Sequence, residues 1–342
     1  MTLDSAFAQP LQASASRLFH LLDRFTEARV LVVGDLTVDE FLTGQVERVS
    51  REAPVLILRH ETTKQIPGGG ANSVYNLAKL GAQVKAVGFV GKDEQGRALR
   101  SIFESANIDT TGILIDPDRP TVTKTRISGH ARQSVTQQIV RIDRKSDDLP
   151  DSDLQLQLAE YIAGQIDRVD AVVCSDYGDG TLTQPVIQAA LQHDCSIVDA
   201  QKALQRYSGA TVFTPNLPEA EQAVGYAITS PQALHQAGLD LLNLTQAQHI
   251  LITRGEEGMS LFDRSGQQQV IPAFNRTDVY DVTGAGDTVA AALTLGLIGG
   301  ATVWEASILG NLAASLVVRQ FGTATTTPAE MKAALQELLE GL

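Results

Sequence analysis

Apolar residues recur along this chain in two rhythms that alternate from one end to the other. Residues 14–27 (SASRLFHLLDRFTE) set Leu18, Leu21, Leu22 and Phe25 at helical spacing. ARVLVVGD follows as a short, continuous apolar run ending in a turn, the pattern of a buried strand. VLILRHETT alternates, PGGG breaks it, and ANSVYNLAKLGA predicts a helix stopped at Gly81. VKAVGFVG predicts a strand and KDEQGRALRSIFESAN a helix. From about 113 to 145 the chain returns to β character in ILI, TVTKTRIS and TQQIVRID.

After Pro150 a regular alternation begins. Helix 151–167 leads to strand DAVVCSD, helix 184–193 to strand SIVDA, then strand TVFTPN. Helices at 218–225 and about 231–245 precede strand HILITRG and a hairpin-like MSLFDRSGQQQVIPA. Helices at 303–319 and 328–341 close the chain. Strands alternating with helices predict an α/β fold, a doubly wound and mostly parallel sheet with helices on both faces. The β-rich stretches at about 39–66 and 113–145 do not fit that sheet and are expected to form a small β lid. The expected organisation is an N-terminal helical extension over 1–28 and one domain over 29–342.

Composition narrows the class. The 342 residues are 43% hydrophobic and 20% charged, enough for a sizeable core. No run of about 18 apolar residues occurs, so no transmembrane helix is expected. No basic segment leads into an apolar one at the N-terminus, so no signal peptide is expected either. The two cysteines, Cys174 and Cys195, sit in apolar strand-like runs and read as reduced core residues of a cytoplasmic protein. No CxxC or HxxxH spacing points to zinc. The net charge of −13 disfavours nucleic acid and anionic membranes as partners. Within this acidic chain, residues 113–145 carry seven Lys/Arg against three Asp/Glu, a basic island that suits an anionic ligand or a solvated strand surface.

The segment richest in chemistry is DVTGAGD, Asp281 to Asp287, running into an alanine-rich helix. Thr283 is the expected N-cap. Glycines 284 and 286 leave backbone N–H groups open at a helix start, where the dipole also favours an anion. A carboxylate there, Asp287, would repel a merely bound anion. It fits a phosphoryl group in transfer, with the carboxylate taking the proton of the attacking hydroxyl. The plainer reading is that Asp287 complements the helix dipole. GxxxxGK[ST] is absent, and neither glycine-rich segment completes GxGxxG, so neither a P-loop nor a dinucleotide fold is expected. A second glycine turn, Pro67 to Asn72, opens another helix and lets a ligand approach the backbone. There Asn72 can donate and accept, as a polyol requires, or simply start the helix. Asp35 and Asp39, at the end of a strand, are a carboxylate pair suited to sugar hydroxyls, or ordinary loop acids.

GGGANSVYNLAKLGAQVKAVGFVGKDEQG resembles the N-terminal signature of the ribokinase-like (PfkB) carbohydrate kinases, and DVTGAGDTVAAALTLGL resembles their C-terminal one. The resemblance runs from about residue 29 to the C-terminus. More narrowly, VSREAPV, PTVTKTRI, QQIVRID, SDYGDG and YSGATVFTPN are similar to the heptose 7-phosphate kinase domain of lipopolysaccharide precursor synthesis. No HxGH motif of the nucleotidyltransferase partner domain occurs before Leu342, so a kinase-only form is expected.

The resemblance implies that Asp287 is the base and that Gly284, Ala285 and Gly286 form the anion hole. It implies that Asn216 and Glu219, an NxxE element that otherwise reads as a helix start, help place Mg²⁺ and the phosphates of ATP through water. Thr253, Gly255 and Gly258 match a turn along the nucleotide phosphates, and Asn311 the adenine side. Asp35, Asp39, Gly69, Gly70 and Asn72 match sugar-side positions. Two departures stand out: Asp179 replaces a lysine of the pattern SDYAKG, and Asp199-Ala200-Gln201-Lys202 replaces DPKG.

The implied reaction is ATP-dependent phosphorylation of D-glycero-β-D-manno-heptose 7-phosphate at its anomeric hydroxyl. Lys124, Arg126 and Arg141 are candidates for its distal phosphate, or partners of lid carboxylates such as Asp143. The alternatives are another sugar or nucleoside kinase of this family, or a catalytically silent sugar-binding regulator. A homodimer through the β lid is implied, and a monovalent cation occurs among such relatives.

Overall fold

A computed structural model describes residues 4–131, 135–275, 279–320 and 322–342. In chain order the helix α1 (Ser5–Asp23) is followed by strands β1 (Arg29–Gly34), β2 (Leu36–Val49) and β3 (Leu56–Gly69). Then come α2 (Gly70–Lys79), β4 (Gln83–Gly91), α3 (Glu94–Ser105), β5 (Asp109–Asp116), β6 (Thr123–His130) and β7 (Gln137–Arg144). The second half runs α4 (Ser152–Gln165), β8 (Ala171–Asp176), α5 (Gln184–Ala190), β9 (Ser196–Ala200), β10 (Val212–Phe213), α6 (Leu217–Val224) and α7 (Pro231–Thr245). It closes with β11 (His249–Thr253), β12 (Met259–Asp263), β13 (Gln268–Ile271), α8 (Ala285–Ile298), α9 (Val303–Val317) and α10 (Pro328–Glu340).

Nine strands form one sheet in the order β13-β12-β11-β10-β9-β8-β1-β4-β5. Seven of them, β11 through β5, pair in parallel, and β12 and β13 add an antiparallel edge. The alternation of strand side chains splits the core into two layers. Val30 and Val32 of β1 join one cluster with α1, α2, α8, α9 and α10, while Leu31 and Val33 join another with α4, α5 and α7. The sheet is therefore covered on both faces, as the βα alternation predicts. The order turns at β1, where the chain steps out to β4 on one side and back to β8 on the other. Crevices at the carboxyl ends of strands on either side of such a switch are where α/β sheets take ligands.

A second sheet, β3-β2-β6-β7, projects from the end of β1. Its β2 is buried from Leu36 to Asp39 and opens outward from there. The expected lid segment 113–145 needs a correction at its start. Its first apolar run belongs to β5, which pairs with β4 in the large sheet through Ile113↔Gly88 and Leu114↔Phe89. Strand period alone cannot say which sheet an apolar run joins, and burial of Ile113 in the main core decides it. Helix α1 also begins earlier than its apolar spacing indicates, because the Asp4 side chain accepts from the Ala6 N–H and Leu11 is buried.

Leu11, Leu18, Leu21 and Leu22 of α1 are buried in the same cluster as α10 and the sheet. The N-terminal segment is thus packed into the core. Leu18→Ala is expected to destabilise the protein by about 2–5 kcal/mol, the range for emptying a fully buried leucine site. Urea unfolding of the two proteins checks this, and a difference below about 0.5 kcal/mol, the scale of surface substitutions, would make α1 a peripheral appendage.

Candidate active site

The carboxyl ends of β8, β9, β10 and β11 and the N-terminus of α8 enclose a cavity of about 180 Å³. Asp287 lies at its inner wall and is 2% exposed. Its two oxygens are held from three directions. Asn72 Nδ2 donates to Oδ2 at 2.7 Å, Ser73 Oγ donates to Oδ1 at 2.5 Å, and the Tyr177 hydroxyl donates to Oδ1 at 3.1 Å. Burial pushes the Asp287 carboxyl above its ordinary pKa and the Asp39 charge adds to this, while the three donors draw it down.

The turn into α8 differs from the sequence reading in one respect. The N-cap is Gly284, left-handed at φ +77, with no side-chain cap. Thr283 instead donates its N–H and hydroxyl to Asp281. A Cβ at Gly284 would lie 2.5 Å from Asn72 Nδ2, so the close approach of α2 to α8 requires glycine there. Gly284 and Gly286 line the cavity, whereas the Ala285 N–H is turned onto the Val282 carbonyl at 3.1 Å.

The rest of the wall is acidic. Asp176, Asp199 and Glu219 line the cavity with Asp287, and among the described residues no lysine or arginine does. Burial, then the Asp287 and Glu219 charges, hold Asp199 well above the ordinary carboxylate range, and burial raises Glu219. Asn216 and Glu219 realise the helix-start arrangement as well as facing the cavity. Asn216 Oδ1 accepts from the Glu219 N–H at 2.9 Å, and Glu219 Oε2 accepts from the Asn216 N–H at 2.8 Å, a complete capping box. Thr253 lines the same cavity. Gly255 and Gly258 lie in the turn after β11 and are not among its lining residues; nor is Asn311, whose Nδ2 donates to the Pro272 carbonyl at 2.7 Å.

The carboxylate pair expected on the sugar side divides. Asp35 is committed to the backbone, accepting the N–H groups of Tyr177, Asp179 and Thr181 at 2.9, 3.0 and 2.9 Å. It clamps the loop that follows β8 and has little capacity left for a sugar hydroxyl. Asp39 Oδ1 accepts from Arg126 Nη1 at 2.6 Å, and its carboxylate packs where a Cβ on Gly68 would stand. Gly69 and Gly70 carry the chain from β3 into α2, which delivers Asn72 and Ser73 to Asp287. Asn72 therefore holds the Asp287 carboxylate, with its Nδ2 already engaged.

Lys124 Nζ sits 5.6 Å from the centre of the Tyr177 ring. Arg141 is exposed and bidentate to Asp143, the lid-carboxylate pairing that the sequence left open for it. At the two departures, Asp179 faces Lys145 at 3.4 Å, while Gln201 lines the cavity and Lys202 is exposed. The sequence reading did not single out Ser73, Tyr177 or the acidity of Asp176 and Asp199 beside Asp287. The available signal was position: Ser73 follows Asn72, Asp176 ends the strand AVVCSD and Asp199 is the last residue but one of SIVDA.

A sheet that gathers a buried carboxylate and a glycine-opened helix start at the ends of its strands suits phosphoryl transfer to a hydroxyl. Residues 27–330 match the description "pfkB family carbohydrate kinase", and the chain belongs to that family, the ATP-dependent carbohydrate kinases. The bifunctional protein HldE of Geobacter sulfurreducens is 42% identical over 311 residues, which are 89% of this chain and 62% of that protein. HldE of Desulfatibacillum aliphaticivorans is 40% identical over 322 residues, 92% of this chain and 64% of the relative. The chain thus spans less than two thirds of the length of these relatives. Among solved structures, phosphofructokinase-2 of Escherichia coli superimposes with a TM-score of 0.73 at 19% identity, covering 91% of this chain and 99% of that one. Ribokinase of Arabidopsis thaliana gives 0.68 at 18% identity, covering 92% and 99%. These two likenesses show the fold.

The acidic wall gives a stability prediction. Asp199 has a raised pKa in the folded protein, so its contribution is most favourable below the ordinary carboxylate range and is lost as pH rises. Asp199→Asn is therefore expected to gain stability relative to the parent as pH rises from about 4 to 7.5. Chemical denaturation of both proteins at the two pH values tests it, and a gap that stays constant or narrows would contradict it.

Proposed function

We propose that the chain transfers the γ-phosphoryl group of ATP to the anomeric hydroxyl of a heptose 7-phosphate. The observation that carries the reaction is Asp287, a buried carboxylate at the glycine-opened start of α8, held by Asn72, Ser73 and Tyr177. The sugar oxygen forms a bond to the γ-phosphorus while the bridging bond to the β-phosphate oxygen breaks and ADP leaves. Asp287 accepts the hydroxyl proton through Oδ2, to which one side chain among the described residues donates where two donate to Oδ1. The open N–H groups of Gly284 and Gly286, with the dipole of α8, receive the charge on the transferring group.

The acidic wall supports a hard cation in this reaction. Among the described residues several carboxylates face the cavity without a basic side chain, yet no three His, Cys, Asp or Glu are grouped closely enough to hold an ion directly. That donor set fits Mg²⁺, which keeps its waters and binds chiefly through substrate phosphates, with Asn216 and Glu219 reaching it through water. Bound there, it would neutralise charge on the nucleotide phosphates.

The heptose assignment is supported by the HldE relatives and by two basic side chains where β6 meets the sugar side. Lys124 and Arg126 lie at the base of the lid, Arg126 on Asp39 and Lys124 over Tyr177. A sugar carrying a distal phosphate would meet both, whereas Arg141 is exposed and held by Asp143. The proposal includes a homodimer through the lid. Its outer strand β7 exposes Ile139, Val140 and Ile142, and Val49 and Leu56 are exposed on the paired β2 and β3. Open edges of this kind call for a partner. No helix among the described residues is long and apolar enough to cross a membrane, and the proposed location is the cytoplasm.

Asp287→Asn is expected to fold and to lower kcat by at least about a hundredfold, the scale of general-base loss. A folded variant with wild-type turnover would remove Asp287 from this role. Arg126→Ala should raise KM for a phosphorylated sugar roughly tenfold more than for its neutral counterpart, the scale of one charge-assisted contact. Equal effects on the two would sink the distal-phosphate assignment. Light scattering should give a dimer mass, with Ile142→Glu shifting it to a monomer; an unchanged mass would place the contact elsewhere.

A further inference from the structure

The lid and the base meet in one side chain. Tyr177 directly follows β8, and its backbone N–H is fixed by Asp35 at 2.9 Å. Its hydroxyl donates to Asp287 Oδ1 at 3.1 Å. The opposite partner of its ring is Lys124 of β6, 5.6 Å from the ring centre. We infer that Tyr177 is a positioning residue that ties the lid to the base, its hydroxyl orienting Asp287 while its ring is seated under Lys124.

The geometry makes the link mechanical. With the backbone of Tyr177 clamped by Asp35, movement of the side chain is confined to rotation of the ring about a fixed start. An ammonium over an aromatic face favours one ring position, and more strongly where water is excluded. Lys124 stands beside Asp39 in the pairing of β2 with β6, so a displacement of these strands moves the cation off the ring. The ring is then free to rotate, and its hydroxyl leaves Oδ1. Ser73 still holds that oxygen, but from α2. Asp287 keeps its place and loses the donor that reports where the lid is. Burial and the neighbouring Asp287 carboxylate push the Tyr177 hydroxyl well above its ordinary pKa, so it serves as a donor throughout the neutral range. The inference rests on Asp287 being the base, and it adds a role for a residue that touches both a lid strand and that carboxylate.

The test measures kcat and both KM values with Mg-ATP and the accepted sugar, for Tyr177→Phe, Lys124→Met, and Lys124→Met in a Tyr177→Leu background. Tyr177→Phe keeps the ring under Lys124 and removes only the hydroxyl, and an unchanged Tm confirms its fold. It should lower kcat about tenfold, the worth of one hydrogen bond to a charged group, with KM values within about twofold. Lys124→Met should lower kcat roughly threefold at saturation in the parent, the scale of one cation–ring contact, and by much less once Tyr177 is leucine. A Tyr177→Phe kcat equal to wild type, or a Lys124→Met effect undiminished by Tyr177→Leu, would overturn the inference. Asp287→Asn separates the two levels. Turnover retained there defeats the base itself, whereas turnover lost there but kept in Tyr177→Phe defeats only the link.

Discussion

A carboxylate sealed from water must be held by donors or it will take up a proton and lose its charge. That constraint on Asp287 organises this protein. Each hydrogen bond to a buried charged group is worth about 1.5–3 kcal/mol, so the donors on Asp287 offset much of its desolvation. They arrive from separate elements: Asn72 and Ser73 from the first turns of α2, Tyr177 from the loop after β8. The large sheet brings those elements together, since β1 lies between β8 and β4 and hands the chain to the lid and α2 on the way.

The same constraint explains the close contacts around the site. Helices α2 and α8 can approach only because Gly284 leaves room for Asn72. The Asp35 carboxylate, which by type resembles a sugar ligand, is spent on three backbone N–H groups that fix the Tyr177 loop. The cavity at the strand ends goes the other way. Its carboxylates repel one another across the cavity, and Asp199 in particular is costly to ionise. A wall of this kind is poorly suited to bare phosphates and well suited to phosphates that arrive with a cation.

Much of this was legible in the sequence. The alternation of apolar runs gave the doubly wound sheet, and DVTGAGD gave a carboxylate at a glycine-opened helix start. What could not be read is what depends on partners distant in the chain. Asp35 and Asp39 look like a pair because four positions separate them, yet one turns to the β8 loop and the other to Arg126. Asn72 reads as a polyol ligand until Asp287 is seen beside it, 215 positions away. The run at 113–116 has the same β character as the lid strands, and only its burial against β4 assigns it to the large sheet. Ser73 and Tyr177 lie inside the quoted segments GGGANSVYNLAKLGA and SDYGDG, but nothing in those segments says that they meet the carboxylate of Asp287.

The central claim, phosphoryl transfer from ATP to a sugar that already carries a phosphate, is tested most directly by ADP release. Purified protein with Mg-ATP would be assayed against heptose 7-phosphate, fructose, ribose, fructose phosphates and adenosine. The account predicts saturable ADP release with heptose 7-phosphate and far weaker release with the unphosphorylated sugars and adenosine. Efficient turnover of a neutral sugar or of adenosine, with none on heptose 7-phosphate, would contradict it.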